Sequence, residues 1–465
     1  MSPGGGAEDP ADDGSREARR GYAAALWIIL ILAFLFRSFG LSHDLDLGKI
    51  YHPDTPKQVR MAERYAQGIF YFEIGGPDYD GYPYFNSLLA AGVYRAVVPL
   101  SDWWHDHLGL PTLPHAQDIS LMEWVIRMMN VGFSTLAVWV IFLLGRRLGG
   151  QRVGLWSALV LAVSPLDVAA CHYASGDGTA AFFALVSLLF AVRIYQEGRY
   201  TDYILAAAAC MCAFSAKYHG ALVAFSLILA HVLRAKSFRE LFGAESFRRA
   251  GVVLLTVAVV FVATTPGMLV RPSRTFAKIL EFLAYSTQFG MRDEAVRAMT
   301  PWARYLHGLQ VNFPVFAQFL SPVFLGLAGL GILRSLVGRK TWLVVAVMPA
   351  LYILMGLSDK TVDNASYSTL VTPPLFLLAV LMADEVRRYR ALRPVPPLLG
   401  WTALLGGALL LAHASYREMF FFGHRDTRAL AENWIRENIP AGFNVQGGPY
   451  SKLEPFITDR PGPFF

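Results

Sequence analysis

Long apolar segments separated by short polar ones occupy most of this 465-residue chain. A helix needs about 20 apolar residues to cross a bilayer. Segments of that length begin near Tyr22, Leu121, Val153, Thr179, Tyr203, Ala221, Gly251, Val315, Trp342, Thr369 and Leu398. The pattern therefore predicts an all-α polytopic membrane protein with about eleven transmembrane helices.

The first long polar interval, residues 41–120, contains two further helical patterns. HPDTPKQVRMAERYAQG (52–68) predicts a short helix beginning after Asp54, because Asp-Thr-Pro combines capping residues with a first-turn proline. Tyr84–Leu100 is apolar enough to be considered as a twelfth span. We interpret it as a helix lying on the membrane, because a twelfth span would place Arg146 and Arg147 outside.

These segments divide the chain into three parts. Residues 1–20 are polar and predict a disordered cytoplasmic N-terminus. Residues 21–415 form the transmembrane domain, which includes the outer loop 41–120 with its surface helices. Residues 416–465 form a short outer C-terminal segment, in which HRDTRALAENWIREN predicts one amphipathic helix that ends before Pro440.

Composition and charge support a membrane protein and set its orientation. Charged residues make up 16% of the chain, against about 25% in soluble domains. The net charge of +6 does not indicate nucleic-acid binding, because the basic residues cluster in short loops between apolar segments. With the N-terminus cytoplasmic, every strongly basic short loop falls on the cytoplasmic side and the C-terminus lies outside.

Two acids stand at the outer ends of predicted helices. Asp54 follows the first span, and Asp177 closes the segment SPLDVAACHYASGDG (164–178) before the span near Thr179. Each acid could simply be a helix N-cap. Each could also present its carboxylate to a shared cavity at the membrane surface, where Asp54 would act as a base. Spacing alone leaves both alternatives open.

Basic residues and histidines near these acids are the remaining candidates. Lys217, in AFSAKYHG, is either a lysine that extends to the membrane surface or a point charge for a lipid phosphate. The outer segment 267–313 is basic and includes Arg271, which favours an anionic ligand or contact with headgroups. The neighbouring His52, His172 and His219 are separate in sequence and do not form a metal motif. The three cysteines have neither disulfide nor zinc spacing.

Several short motifs, in this order, resemble the polytopic GT-C glycosyltransferases that use lipid-phosphate sugars, such as protein O-mannosyltransferases and aminoarabinose transferases. Asp54 with its following helix is similar to the family's first outer loop. The other similar motifs are Arg127 in a helix ending LLGRRLGG, SPLDVAACHYASGDG, AKYHGAL (216–222), TTPGMLV (264–270) and ALAENWIRENIPAGFNV (429–445). The resemblance covers most of the chain from about residue 22.

The resemblance implies an inverting transfer of a sugar from a polyprenyl-phosphate-sugar donor to an acceptor hydroxyl on the non-cytoplasmic face. Asp54 would be the base and Asp177 would orient the acceptor. Lys217 and Arg271 would bind the donor phosphate, and His52, His172, Tyr218 and His219 are candidates for contacts with donor or acceptor. Asp54 and Asp177 would be the ligands if a divalent metal, Mg²⁺ or Mn²⁺, takes part.

The same resemblance implies a bacterial inner (plasma) membrane location, with the lipid bilayer as a partner and no nucleic acid. The acceptor, whether protein, lipid or glycan, and the sugar are left open. A transporter or flippase of a lipid-linked or anionic solute is the alternative function. Transporters often contain internal repeats and helices broken near the midplane, whereas here the acids fall at helix ends and no repeat is found.

Overall fold

The structure, a computed structural model, describes residues 10–43, 45, 54–70, 83–108, 119–288, 298–356, 369–388, 398–424 and 427–439. Regular structure within these ranges is helical. The first half contains α1 (Pro10–Ser38), α2 (Thr55–Ala66), α3 (Phe85–Leu108), α4 (Ile119–Gly149), α5 (Gln151–Ala162), α6 (Pro165–Cys171), α7 (Asp177–Gln196), α8 (Tyr200–Ala216), a 3₁₀ helix (Tyr218–Leu222) and α9 (Val223–Arg234).

The second half continues the same pattern of helices with short connections. It contains α10 (Phe238–Leu241), α11 (Ala244–Thr264), α12 (Gly267–Val270), α13 (Pro272–Gln288), α14 (Pro301–Leu336), α15 (Lys340–Gly356), α16 (Thr372–Arg388), α17 (Leu398–Phe422) and α18 (Thr427–Asn438). α14 is kinked where Ser321, with φ 59° and ψ 147°, precedes Pro322. The amphipathic helix predicted near the C-terminus is confirmed as α18.

Four helices in the described ranges are long and apolar enough to cross a membrane: Arg20–Ser38, Leu121–Gly149, Asp177–Gln196 and Ala244–Thr264. α5 and α6 together form a fifth candidate, bent by 54° at their junction. Five shorter apolar helices accompany them: Phe85–Leu100, Tyr200–Ala216, Tyr218–Arg234, Leu320–Leu336 and Lys340–Leu354. Each of the eleven predicted spans overlaps a helix, and their number as membrane crossings stays a prediction.

The structure corrects one expectation about the polar segments and adds detail to another. Helix α1 begins at Pro10, so residues 10–20 are helical and not disordered, because the first span extends its helix into the alanine- and arginine-containing sequence before it. The outer segment 267–313 is largely helical where it is described, since α12, α13 and the start of α14 occupy it. The interpretation that α3 lies on the membrane stays a prediction.

Apolar packing fixes the short helix α2 against the spanning helices. Val59 and Ala62 of α2 form a buried cluster with Ala90 and Tyr94 of α3 and with residues at the start of α4, among them Val125. A fully buried aliphatic side chain contributes about 1.5–3 kcal/mol. Helix α2, with twelve residues, is too short to be stable alone, so this packing determines where Asp54 is held.

The bend between α5 and α6 is stabilised by hydrogen bonds from other helices. Pro165 begins α6 and has no N–H to continue the helix, which leaves carbonyl oxygens unpaired. Arg37 of α1 is fully buried and donates to the carbonyls of Ala162 (2.8 Å) and Leu161 (2.9 Å). Ser415 of α17 donates to Val163 O at 2.9 Å. The backbone at the bend is therefore satisfied within the protein.

An acid that is paired with basic residues lies at each end of α7. Asp177 begins this 20-residue helix, which is about 30 Å long, and Glu197 follows its last turn. Glu197 is paired there with Arg147 at the end of α4 and with Arg199 before α8 at 3.1 Å. Arg147, by its hydrogen bond, holds the pKa of Glu197 below the usual 4.5. The basic loops and the acids of interest thus lie at opposite ends of one helix.

Candidate active site

Asp54 occupies the N-cap position of α2, as the sequence predicts, but its side chain makes no capping hydrogen bond. Its carboxylate lies 3.8 Å from Lys217 Nζ and 4.0 Å from Lys57 Nζ, and 21% of the side chain is exposed. Pro56 in the first turn has no N–H, so α2 has one fewer unpaired backbone donor for a cap to satisfy. The carboxylate is therefore directed toward a cation and stays reachable.

Lys217 directly follows α8 in an extended conformation, with φ −157° and ψ 126°. Its side chain is 8% exposed, so the structure excludes a lysine that extends along the surface into water. The ammonium is 2.5 Å from Asp177 Oδ1 and 3.8 Å from Asp54 Oδ2. The structure thus brings together the two acids and the lysine that the sequence singled out.

Asp177 is the first residue of α7, and the N-cap position belongs to Gly176. The prediction that Asp177 is the N-cap is therefore wrong, because the residue before it has that position. In the first turn its carboxylate is still stabilised by the helix dipole, and it is 1% exposed. We call Asp54, Asp177 and Lys217 the carboxylate–lysine cluster.

A close approach between two backbones holds this cluster together. A Cβ added to Gly176 would lie 2.4 Å from the carbonyl oxygen of Ala216, the residue before Lys217. Any larger residue at this position would force the start of α7 away from the end of α8. Glycine at 176 is what allows Asp177 and Lys217 to meet.

Buried neutral side chains that sequence reasoning missed fix the loop before Asp177. Asn86 and Asn130 both donate to Ser175 O at 3.0 Å, and Asn130 also donates to Tyr173 O at 3.0 Å. Thr179 donates to Asn86 Oδ1 at 2.7 Å. The asparagines and the threonine are fully buried. The sequence does contain a sign of this role: two asparagines lie inside apolar helices, and a buried amide needs hydrogen-bond partners.

A cavity of about 700 Å³, counting the space open to solvent, is lined by residues close to Lys217 in the chain. Ser215 and Tyr218, which flank Lys217 in sequence, line it. The remaining lining residues are Tyr65, Phe70, Pro83, Tyr84, Phe214, Phe261, Thr264, Thr265, Gly267, Arg271, Arg274, Thr275, Lys278 and Ile279. We call this the aromatic–basic cavity, since one wall is aromatic and another is basic.

The basic wall contains Arg271, the predicted phosphate ligand, which lies between α12 and α13. Arg274 and Lys278 follow on α13, and Lys278 pairs with Glu281 at 2.9 Å. Arg271 thus belongs to the cavity wall and not to the carboxylate–lysine cluster. The spacing of four residues places Arg274 and Lys278 on one face of α13, and Arg271 lies just before that helix, an arrangement that suits an anionic group.

Tyrosines on the aromatic wall stay protonated. Burial raises the pKa of Tyr65 and of Tyr218 well above the usual value, and for Tyr218 the nearby Tyr65 adds to the effect. Their hydroxyls therefore serve as neutral hydrogen-bonding groups and not as bases. Aromatic faces with hydroxyl groups fit a ligand that is partly apolar and partly polar, such as a sugar.

The histidines have different surroundings. His172 is buried, and its ring nitrogens are 2.7 Å from Phe39 O and 2.9 Å from Val168 O. Its ring also stacks on Phe422, so it has a structural role instead of the predicted ligand contact. His219 follows Tyr218 in the 3₁₀ helix beside the cavity. His52 lies outside the described residues.

The cluster does not fit the divalent metal that the sequence left open. Magnesium and calcium ions take carboxylate and other oxygens as ligands. Here an ammonium group lies between Asp54 and Asp177 and hydrogen-bonds Asp177 directly. Across the ranges that the structure describes, no three His, Cys, Asp or Glu side chains gather in a metal-binding group.

Residues 119–266 match the dolichyl-phosphate-mannose-protein mannosyltransferase family. That stretch includes Asp177 and Lys217, whereas Asp54 and Arg271 lie outside it. No curated protein matches the chain.

Solved structures show the same fold at low sequence identity. ArnT from Cupriavidus metallidurans bound to undecaprenyl phosphate is 15% identical with a TM-score of 0.56, covering 95% of this chain and 85% of ArnT. Its apo state gives a TM-score of 0.53 at 15% identity, covering 96% and 86%.

An oligosaccharyltransferase from Archaeoglobus fulgidus, in complex with Zn and sulfate, is 12% identical with a TM-score of 0.50. The alignment covers 90% of this chain and 55% of that enzyme. The family match covers less than half of the chain, and the solved structures are similar over nearly its whole length, so the chain shares the fold of ArnT and of this oligosaccharyltransferase.

Proposed function

We propose that this protein transfers a sugar from a polyprenyl-phosphate-sugar donor to an acceptor hydroxyl on the non-cytoplasmic face of the membrane. The observation that supports this most strongly is the carboxylate–lysine cluster beside the aromatic–basic cavity. A partly exposed base, a fixed ammonium and a basic wall are the groups that transfer from a phosphate-linked sugar requires.

The donor phosphate binds between the basic wall and Lys217. Arg271 and Arg274 supply planar donors suited to phosphate oxygens, and Lys217 adds a compact charge at the edge near Asp54. These cations stabilise the negative charge that grows on the phosphate as the sugar leaves. The similar ArnT structure, which holds undecaprenyl phosphate, supports this class of ligand.

Asp54 acts as the base in a single displacement. The acceptor oxygen attacks the anomeric carbon, the bond from that carbon to the phosphate oxygen breaks, and the hydroxyl proton moves to the Asp54 carboxylate. The electron pair of the broken bond stays on the leaving phosphate. Attack opposite the leaving group inverts the anomeric configuration. A positioned base contributes about 10²–10⁴-fold to the rate.

Asp177 acts through Lys217. Its side chain is 1% exposed, so substrate does not reach it while the ion pair is intact. The pair holds the ammonium between the two acids, and removing one partner of such a buried pair costs about 3–5 kcal/mol. Asp177 is thus a positioning residue in this proposal, in place of the acceptor contact expected from sequence.

The non-cytoplasmic side is proposed from charge. The cluster lies at the end of α7 opposite to Arg147 and Arg199, and basic residues mark the cytoplasmic side of membrane proteins. We also propose that the protein lies in a bacterial inner membrane. This location, like the donor class, is implied by the resemblance to the GT-C glycosyltransferases.

A transporter receives less support. In transporters, broken helices present unpaired backbone groups to a midplane cavity. Here the bend between α5 and α6 is closed by Arg37 and Ser415, which donate to its carbonyls. The acids lie instead at helix ends, which favours chemistry at the membrane surface.

The test is transfer by purified protein supplied with radiolabelled polyprenyl-phosphate sugars and membrane extracts containing acceptors. Asp54→Asn keeps the shape of the side chain and removes the proton acceptor, so turnover should fall by about 10²–10⁴-fold with donor binding unchanged. Glu63→Gln is the matched control, because it removes another acid of α2. Transfer by Asp54→Asn at the wild-type rate would refute Asp54 as the base.

A further inference from the structure

We propose that the ammonium of Lys217 takes the place of a divalent metal between Asp54 and Asp177, and that the two acids bind such a metal only when this ammonium is removed. The carboxylates come from the starts of two helices, α2 and α7, far apart in sequence. Two acids brought together in this way are a frequent basis for a divalent-cation site. This pair of acids differs from such a site because the ammonium of Lys217 lies between them.

The position of the ammonium makes it a competitor for the same oxygens. Lys217 Nζ is 2.5 Å from Asp177 Oδ1 and 3.8 Å from Asp54 Oδ2, so it contacts one acid and lies within ion-pair distance of the other. A magnesium ion would need carboxylate oxygens at about 2.0–2.1 Å. A divalent ion bound to these oxygens would therefore lie within a few ångströms of a positive charge.

The surroundings add to this repulsion. Asp54 is at the N-cap of α2 and Asp177 in the first turn of α7, so both helix dipoles present positive potential to the cluster. Lys57 contributes a further charge 4.0 Å from Asp54. The side chain of Lys217 is buried and cannot swing into bulk water without breaking its ion pair with Asp177. A second cation is thus disfavoured while Lys217 is charged and in place.

A fixed ammonium can supply the electrostatic part of what a metal would supply. It orients Asp54 and places positive charge beside the bond that breaks, with no need for an exchangeable ion. This site is the one on which the proposed function rests, so metal binding is measured separately from transfer. The consequence is that transfer proceeds in the presence of a chelator.

The test uses Mn²⁺ alone as the probe, followed by its electron paramagnetic resonance signal. Wild-type protein should show no saturable Mn²⁺ binding that depends on Asp177. Lys217→Ala and the more conservative Lys217→Gln should bind Mn²⁺ with a dissociation constant of about 10⁻⁴–10⁻³ M, the range of weak carboxylate sites. Adding Asp177→Asn to either variant should abolish that binding.

Lys278→Ala is the matched control, because it removes a lysine of the neighbouring cavity that pairs with Glu281. It should bind no more Mn²⁺ than wild type. Saturable Mn²⁺ binding by wild type that Asp177→Asn removes would overturn the proposal, as would the absence of binding in both Lys217 variants when they are folded. Loss of wild-type transfer on chelation would also overturn it.

The two proposals fail in different ways. Protein that transfers no sugar under any condition contradicts the proposed function, while the Mn²⁺ comparison between wild type and Lys217→Ala still decides the metal question. Transfer that requires Mg²⁺ or Mn²⁺ supports the proposed function and contradicts the replacement of a metal by Lys217.

Discussion

Replacing Gly176 by alanine tests the backbone contact on which the site depends. The added Cβ would lie 2.4 Å from Ala216 O, whereas real Cβ contacts essentially never fall below 3.0 Å. The start of α7 and the end of α8 must therefore separate by at least 3.0 − 2.4 = 0.6 Å. Gly176 has φ −84°, which alanine adopts freely, so backbone strain does not contribute.

The expected cost is that of overpacking a buried position, about 1–3 kcal/mol. The displacement also acts on Lys217, which follows Ala216 and is 2.5 Å from Asp177 Oδ1. Because a misplacement of 1 Å can cost about 10²-fold in rate, transfer should fall by about ten-fold or more beyond any loss of protein. Thermal unfolding can be followed with a thiol-reactive dye, since Cys171 and Cys210 are buried.

Gly178→Ala is the matched control in the same helix start. Its Cβ would lie 3.4 Å from Asn130 Oδ1, which is at the edge of ordinary van der Waals contact. Alanine in place of glycine inside a helix gains up to about 1 kcal/mol, so this variant should be as stable as wild type or more stable. Equal stability of wild type and Gly176→Ala would refute the reasoning, as would equal damage by both substitutions.

Two further substitutions test other parts of the structure. Arg37→Met should destabilise the protein by about 1–3 kcal/mol, because the buried carbonyl of Ala162 loses its side-chain donor, whereas the carbonyl of Leu161 keeps the N–H of Ser164. Ser38→Ala, at a half-buried serine bonded within its own helix, should not destabilise it, and equal melting temperatures of the two variants would contradict this. Glu197 has a lowered pKa through Arg147, so its contribution to stability is present above the unfolded pKa and is lost as pH falls through the folded one. Melting temperatures of wild type and Glu197→Gln should therefore differ at neutral pH and converge in acid, and a constant difference would refute the assignment.

The sequence predicted the members of the cluster because each is a polar residue at the edge of an apolar segment. Asp54, Asp177 and Lys217 were recognisable on that ground alone. Whether Asp54 caps its helix could not be predicted, since the direction of its carboxylate depends on Lys217, which is supplied by a distant helix. The extent of burial of Asp177 is likewise a result of packing.

Other features were missed although a local signal existed. Asn86 and Asn130 interrupt apolar helices, and buried amides require partners. Pro165 indicated a helix start inside the segment 164–178, where no helix was predicted. The partners of Arg37 could not have been found in this way, because they are backbone carbonyls released by a bend that appears once the helices pack.

Because Lys217 follows α8, the carboxylate–lysine cluster can assemble only after both of its acids have been synthesised. Asp54 leaves the ribosome 217 − 54 = 163 residues before Lys217, which at common rates of synthesis takes about 10–30 s. During this interval α2 is present without the ammonium that neutralises Asp54, and the start of α7 joins it for the last 217 − 177 = 40 residues. The acids must therefore stay hydrated at the membrane surface until α8 is inserted, and a chain truncated before residue 217 would contain both carboxylates but no assembled site.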